Sequence, residues 1–254
     1  MKISIIIPVL NERHYLPATF SALAQLRPDE VIVVDGGSSD GSREFLSQQQ
    51  SVCVVDAERG RGSQLNAGAQ IATGDVLIFL HCDCFLPEDG LQQIVRALAN
   101  ERVVAGCFLV RFAEQYPDSL RLVSWGINSR TRLTRTATGD QAIFVRRAIY
   151  GDAGGFAAWP LFEDIDLIAR IKRRGKFVVL STAVTISARR WLTYGVWRTT
   201  LLMYALRAGY YAGISPFRLK RWFTDVRCHA SGPDSFSKKQ DDQLQGIPPT
   251  AVGG

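Results

Sequence analysis

The chain has 254 residues, 46% hydrophobic and 21% charged, so it is long enough to bury a large core and too apolar to be disordered. Its net charge of +6 is unevenly spread: residues 1–169 hold 15 Lys/Arg against 20 Asp/Glu, whereas residues 170–227 hold 13 against Asp225 alone. Five cysteines, an odd number without CxxC spacing, argue against a zinc site or a disulfide framework.

The chain opens on a β-branched run, Ile3 to Pro8, and Val31 to Asp35, Val52 to Asp56 and Val76 to Leu80 repeat it. Such runs suit buried strands of a parallel sheet. Pro8 and the polar Asn11-Glu12-Arg13 interrupt what would otherwise resemble a signal peptide, so a cytoplasmic chain is expected. Helical patterns over Tyr15 to Gln25, Ser42 to Gln49 and Ser63 to Ile71 supply the crossovers of a βαβαβαβ half. A helix over Leu91 to Ala99 and a strand over Val103 to Phe112 follow, and the Arg- and Thr-rich stretch Arg130 to Thr138 is expected to be a mobile loop. Beyond it come a strand over Gln141 to Val145, a helix over Ile165 to Arg174 ended by Gly175, and a strand over Phe177 to Leu180. Helical spacing returns in Thr193 to Ala212 and Pro216 to Val226. The apolar stretch Thr199 to Leu206 between Arg198 and Arg207 is far short of the roughly 20 residues that a membrane span needs. From residue 228 onward Ser, Gly, Pro, Gln and Asp predict a disordered tail.

In open parallel sheets, ligands bind beyond the carboxyl ends of the strands, where loops converge. Four polar segments fall at such ends: Pro8 to Glu12, Asp35 to Ser42, His81-Cys82-Asp83, and Phe162 to Asp166. Asp35 can accept a hydrogen bond from a base or ribose, or merely close a turn. Asp40 reads as the N-cap of the helix after it. Asp83 is either a loop carboxylate before the helix that Pro87 and Glu88 open or, just past a buried strand, the place where a hard cation would meet a diphosphate. Asp164 can serve as an N-cap, but Glu163, Asp164 and Asp166 crowd more negative charge than capping requires, and such crowding can raise a carboxyl towards a value useful to a base.

Together, Ile5-Ile6-Ile7-Pro8-Val9-Leu10-Asn11-Glu12, Val33-Val34-Asp35-Gly36-Gly37-Ser38-Ser39-Asp40-Gly41, Gly74 to Asp83 and Glu163-Asp164 resemble, in order and spacing, the family-2 glycosyltransferases of the GT-A fold. The resemblance covers residues 1–227. Gly60 to Ala69, Gly139 to Val145 and Ser187 to Trp191 are similar to the bacterial radical-SAM/selenodomain-associated transferase subgroup.

The resemblance implies an α/β, Rossmann-like, mostly parallel sheet with C-terminal amphipathic helices. Residues 1–112 would bind the nucleotide-sugar and residues 113–227 the acceptor. It implies nucleotide-sugar contacts from Pro8, Val9, Glu12, Asp35, Gly36, Arg61, Gln64, His81, Asp83, Arg189 and Arg190, with uridine the expected base. Asp83 would hold Mg²⁺ or Mn²⁺ as the last acid of a DxD motif whose first acid is here His81. Asp164 would be the general base of an inverting transfer, beside Glu163. Gly139, Asp140, Gln141 and Trp191 would meet an acceptor whose identity the residues leave open. Arg190-Trp191 matches the end of the QxxRW motif of processive members, but Ser187 replaces its Gln, so polymer synthesis is not expected.

Two alternatives stay open: a sugar-phosphate nucleotidyltransferase, which would want a glycine-rich loop after the first strand, and a non-catalytic sugar-nucleotide-binding protein. The +12 segment 170–227 also bears aromatics from Trp191 to Phe223, a composition that fits peripheral contact with anionic lipid at the inner face of the membrane or a pair of helices packed on the sheet. No nucleic-acid-binding motif accompanies the charge.

Overall fold

The computed structural model describes residues 1–113 and 117–223. The expected disordered tail, with Cys228, lies outside them. Its elements are β1 (Ile3–Val9), α1 (Leu16–Leu26), β2 (Glu30–Asp35), α2 (Ser42–Ser47), β3 (Cys53–Asp56), α3 (Arg61–Ile71), β4 (Val76–Phe79), β5 (Cys84–Phe85), α4 (Gly90–Leu98) and β6 (Val103–Phe112). There follow α5 (Asp118–Thr134), a 3₁₀ turn (Gly139–Gln141), β7 (Ile143–Arg146), α6 (Arg147–Asp152), α7 (Glu163–Ile171), β8 (Lys176–Ile186), α8 (Arg189–Tyr194), α9 (Val196–Tyr211) and α10 (Pro216–Lys220).

One sheet runs β3-β2-β1-β4-β7-β6-β8-β5. Its first four strands are parallel; β7 is antiparallel to β4 and β6, β8 is parallel to β6, and β5 is antiparallel to β8. This is the mixed α/β architecture expected. Alternation along β1 explains the two-sided core. Ile5 and Ile7 face Leu16, Leu91 and Ile94 on one side, while Ile6, with Ile32 and Val34 of β2, faces Leu65, Leu167 and Ile168 on the other. The strand continues through Pro8 to Val9 because β4 pairs with β1 only as far as Ile6, so the missing N–H removes no ladder bond on that side.

Five expectations are corrected. The β-branched segment Val52 to Asp56 predicts a buried strand, but β3 sits at the sheet edge and leaves Val54 40% exposed. The Arg130 to Thr138 stretch is not a mobile loop: Leu120, Val123 and Thr131 are buried at helical spacing, so α5 runs to Thr134, and Thr138 and Gln141 form a reciprocal capping box. Gln141 consequently belongs to a turn before β7 rather than to a strand. Strand β8 also runs six residues past Leu180 because Thr182, Val184 and Ile186 continue the alternation beside β6. The apolar run from Thr193 is divided at Gly195 (φ 86°) into α8 and α9.

Candidate active site

The chain leaves β1 towards β2 on one side and later returns through α3 to β4 on the other, so a crevice opens at the carboxyl ends of β1 and β4. Asn11-Glu12 follows the first strand and His81-Cys82-Asp83 the second. Arg189, at the start of α8, joins them. Its guanidinium donates to both oxygens of Glu12 at 2.9 Å, lies 3.1 Å from an Asp83 oxygen, and covers the Tyr15 ring at 4.8 Å. Burial alone would lower the pKa of Arg189, but Asp83 and Glu12 reverse that and hold the cation charged. Asp35 is fully buried and its carboxylate accepts from the Ser38 backbone N–H, so here it fixes the turn after β2. Asp40 accepts from the Ser42 N–H at 3.0 Å and the Arg13 N–H at 3.0 Å, although Gly41 holds the N-cap position itself. The Gln64 amide donates to Val9 and Val34 carbonyls at 2.8 Å, and a Cβ on Gly36 would meet it at 2.9 Å, so Gln64 pins Pro8, Val9 and Gly36 together at the strand ends.

A second carboxylate group lies at the start of α7. Glu163 and Asp164 are both nearly inaccessible, at 1% and 4% exposure. Arg61, from the start of α3, bonds Glu163 through Nε and stands 3.6 Å from Asp164 through Nη2. Asp164 also accepts the Gly139 N–H at 2.8 Å and its neighbour Ile165's N–H at 2.7 Å. Burial, then the neighbouring Glu163 carboxylate, pushes the Asp164 carboxyl up to about 6, against the opposing pull of Arg61 and the two backbone donors. Arg61 contacts the carboxylate pair, while Gln64, one helical turn on, bonds the strand-end carbonyls.

Gly139 connects the two groups. A Cβ there would lie 2.6 Å from His81 Nε2 and 3.4 Å from Arg61 Nη1, so only a glycine lets the imidazole and the turn that holds Asp164 pack together. The Asp140 carboxylate accepts from Thr138 Oγ1 at 2.5 Å beside this junction. Ligand atoms of His81, Asp83 and Cys84 lie within 4.8 Å of one another. Burial raises the Cys84 thiol well above its ordinary range, which keeps it protonated and unsuited to a hard cation. The remaining donors, one carboxylate oxygen and one imidazole nitrogen, fit a divalent cation whose shell a bound ligand completes.

Other sequence candidates lie apart from this crevice. Arg190 points away from Arg189, with its guanidinium 4.1 Å from the Phe223 ring centroid. Gln141 is wholly buried and donates to the Phe108 carbonyl at 3.0 Å, and Trp191 packs among Leu120, Val123 and Ala188. Sequence reasoning missed Tyr15, whose ring carries Arg189, and Arg130, a half-buried guanidinium 3.4 Å from the Gln141 side chain. Neither had a signal, since a Tyr before a helix and an Arg in a basic stretch are ordinary by themselves.

The model of the family described as Glycosyl transferase family 2 matches residues 4–154. The chain is 39% identical over 112 residues to an uncharacterized glycosyltransferase of Nostoc sp., covering 41% of this chain and 35% of that protein. It is 35% identical over 159 residues to an undecaprenyl-phosphate 4-deoxy-4-formamido-L-arabinose transferase of Serratia proteamaculans, covering 57% and 48%. The chain thus spans less than half the length of these relatives. Among solved structures, TarS of S. aureus superposes with a TM-score of 0.59 at 20% identity, over 75% of this chain and 62% of that one. Glucosyl-3-phosphoglycerate synthase of Mycobacterium tuberculosis, in complex with Mn²⁺, UDP and glucosyl-3-phosphoglycerate, gives 0.56 at 20% identity, over 80% and 79%. These likenesses identify the GT-A fold.

Proposed function

The chain belongs to glycosyl transferase family 2, and on that premise we propose that it moves a sugar from a nucleoside-diphosphate sugar to an acceptor hydroxyl with inversion, Asp164 acting as general base. The observation that carries this reading is the Asp164 carboxyl itself, buried, adjoining Glu163 and raised to about 6. Near neutral pH such a group is ionised and more basic than a free carboxylate, which suits removal of a hydroxyl proton. An acceptor that arrives already ionised, such as a phosphate, would need no base.

In the proposed transfer the acceptor oxygen attacks the anomeric carbon, its proton passes to Asp164, and the bond to the diphosphate breaks. Arg61 and the Gly139 N–H hold Asp164 in place, and Gly139 and Asp140 border the acceptor's approach. The nucleoside would rest on Pro8, Val9, Glu12, Asp35 and Gly36, with uridine favoured because structural neighbours were solved with UDP or UDP-GlcNAc. Arg189 can donate to diphosphate oxygens, since guanidinium forks match them. Asp83 and His81 would hold the divalent cation, which when bound would neutralise charge on the departing diphosphate. In this reading Arg189, from beyond residue 112, joins the donor site that residues 1–112 build.

The test is Asp164→Asn. The amide keeps the shape and cannot take a proton, so nucleoside diphosphate release from a panel of nucleotide-sugars should fall about 10²–10⁴-fold while calorimetric nucleotide binding persists. Unchanged turnover by the folded variant would remove Asp164 from the role. Pyrophosphate release would instead indicate a nucleotidyltransferase, and binding without any turnover by the unaltered chain a non-catalytic binder.

A further inference from the structure

Helix α9 is apolar on two opposite faces. Thr199 and Leu206 are buried, with Leu206 in a cluster with Phe162, Ile165 and Leu219 that roofs the start of α7. At 3.6 residues per turn the other side carries Trp197, Leu201, Tyr204 and Tyr211, which are 57%, 69%, 49% and 61% exposed. Arg198 and Arg207 flank this outer row. Phe217 and Trp222 continue the exposure beyond α9, at 59% and 62%. On α5, Leu122, Trp125 and Leu133 form another exposed row, and the Tyr204 hydroxyl lies 3.2 Å from where a Cβ on Gly126 would be, so the two helices meet there.

Between Ser187 and Phe223 the sequence has seven Arg or Lys and no Asp or Glu. Large exposed apolar residues of this kind, on helices, mark a docking surface. We propose that the outer faces of α9, α10 and α5 dock this chain on an anionic lipid bilayer, with the aromatic rings at headgroup depth and Arg198, Arg218, Lys220 and Arg221 on lipid phosphates. Charge selects this occupant: a second copy would set one all-cationic segment against another, whereas anionic headgroups complement it. No helix among the described residues is long and apolar enough to cross a membrane, so the surface lies on the bilayer. Arg190, Tyr194, Arg198, Leu202, Trp222 and Phe223 line a pocket that shares Arg198 and Trp222 with this surface. Among the described residues the buried Tyr194 hydroxyl has no hydrogen-bond partner there, and two guanidiniums beside apolar walls suit a headgroup phosphate with its proximal chain.

The test is co-sedimentation with vesicles of phosphatidylcholine alone and of phosphatidylcholine with phosphatidylglycerol, at low and high salt, together with tryptophan emission. The chain should pellet with the anionic vesicles, shift its emission to the blue, and be released by salt. Each cation near the surface contributes about a fivefold factor, so Arg218→Ser, Lys220→Ser and Arg221→Ser together should weaken partitioning roughly a hundredfold. Trp197→Ser with Leu201→Ser should weaken partitioning and reduce the emission shift, with the remainder coming from Trp125 and Trp222. Thermal unfolding checks that these exposed substitutions leave the fold intact. Absence from both pellets, or equal partitioning onto the two vesicle types, would overturn the proposal. So would a dimer that Leu201→Ser dissociates, which would assign the surface to a second copy.

Discussion

Two places in this molecule hold a pair of carboxylates bridged by one arginine, and the bridges are built differently. Glu12 and Asp83 come from loops after separate strands, and Arg189 reaches both at hydrogen-bonding distance, 2.9 Å and 3.1 Å. Glu163 and Asp164 are neighbours on one helix turn; Arg61 bonds the first and stops 3.6 Å short of the second. Side-chain exposure separates them further, 14% for Asp83 against 6% for Asp164. Shared evenly, an arginine makes a stable cradle for charge. Shared unevenly between adjacent buried acids, it leaves one of them raised in pKa and ready to exchange a proton.

The comparison breaks most sharply at Arg61. Arg61→Met leaves Glu163 and Asp164 buried without their cation, and removal of one partner from such a group costs about 3–5 kcal/mol. Urea unfolding at neutral pH should show that loss, and it should shrink in acid as Asp164 takes up its proton. An undiminished midpoint would mean that the pair does not depend on Arg61.

Proton linkage sharpens the contrast. Because folding raises the Asp164 carboxyl from 3.8 to about 6, the folded state holds a proton that the unfolded chain has released across that interval. The stabilisation is full below about pH 4 and is lost as pH climbs through about 6, a change of up to about 3 kcal/mol. Asp164→Asn should flatten this part of the stability profile, whereas Asp83→Asn should leave it unaltered. Transfer activity should rise through about pH 6, as the base ionises.

The smallest effect is expected at the even bridge. In Arg189→Lys a single ammonium cannot bond both Glu12 oxygens and Asp83 at once, so stability should fall by about 1 kcal/mol while nucleoside diphosphate affinity drops about tenfold. Calorimetry with UDP, alongside thermal unfolding, separates the two. Affinity equal to that of the unaltered chain would place Arg189 outside the diphosphate site.

Much of this was legible in the chain. The β-branched runs at Ile3 and Val31 mark strands because a central parallel sheet is buried on both faces, and the motifs from Pro8 to Asp83 mark the strand ends. Less was legible after residue 113. Polar residues on α5, among them Arg130 and Arg132, hid a helix whose buried positions are few. Adjacent Arg189 and Arg190 looked equivalent, yet only Arg189 joins the crevice, because successive helical residues point about 100° apart.

Amino-acid order was enough for the strands and crossover helices of the first half, for the family and for which carboxylates follow which strands, since these depend on local periodicity and on motifs short enough to be contiguous. Packing chose the partners. Arg61 meets Glu163 across 102 positions and Arg189 meets Glu12 across 177. Which acid is raised and which is cradled depends on distance, burial and neighbouring charge, and those are set only when the sheet and its helices pack together.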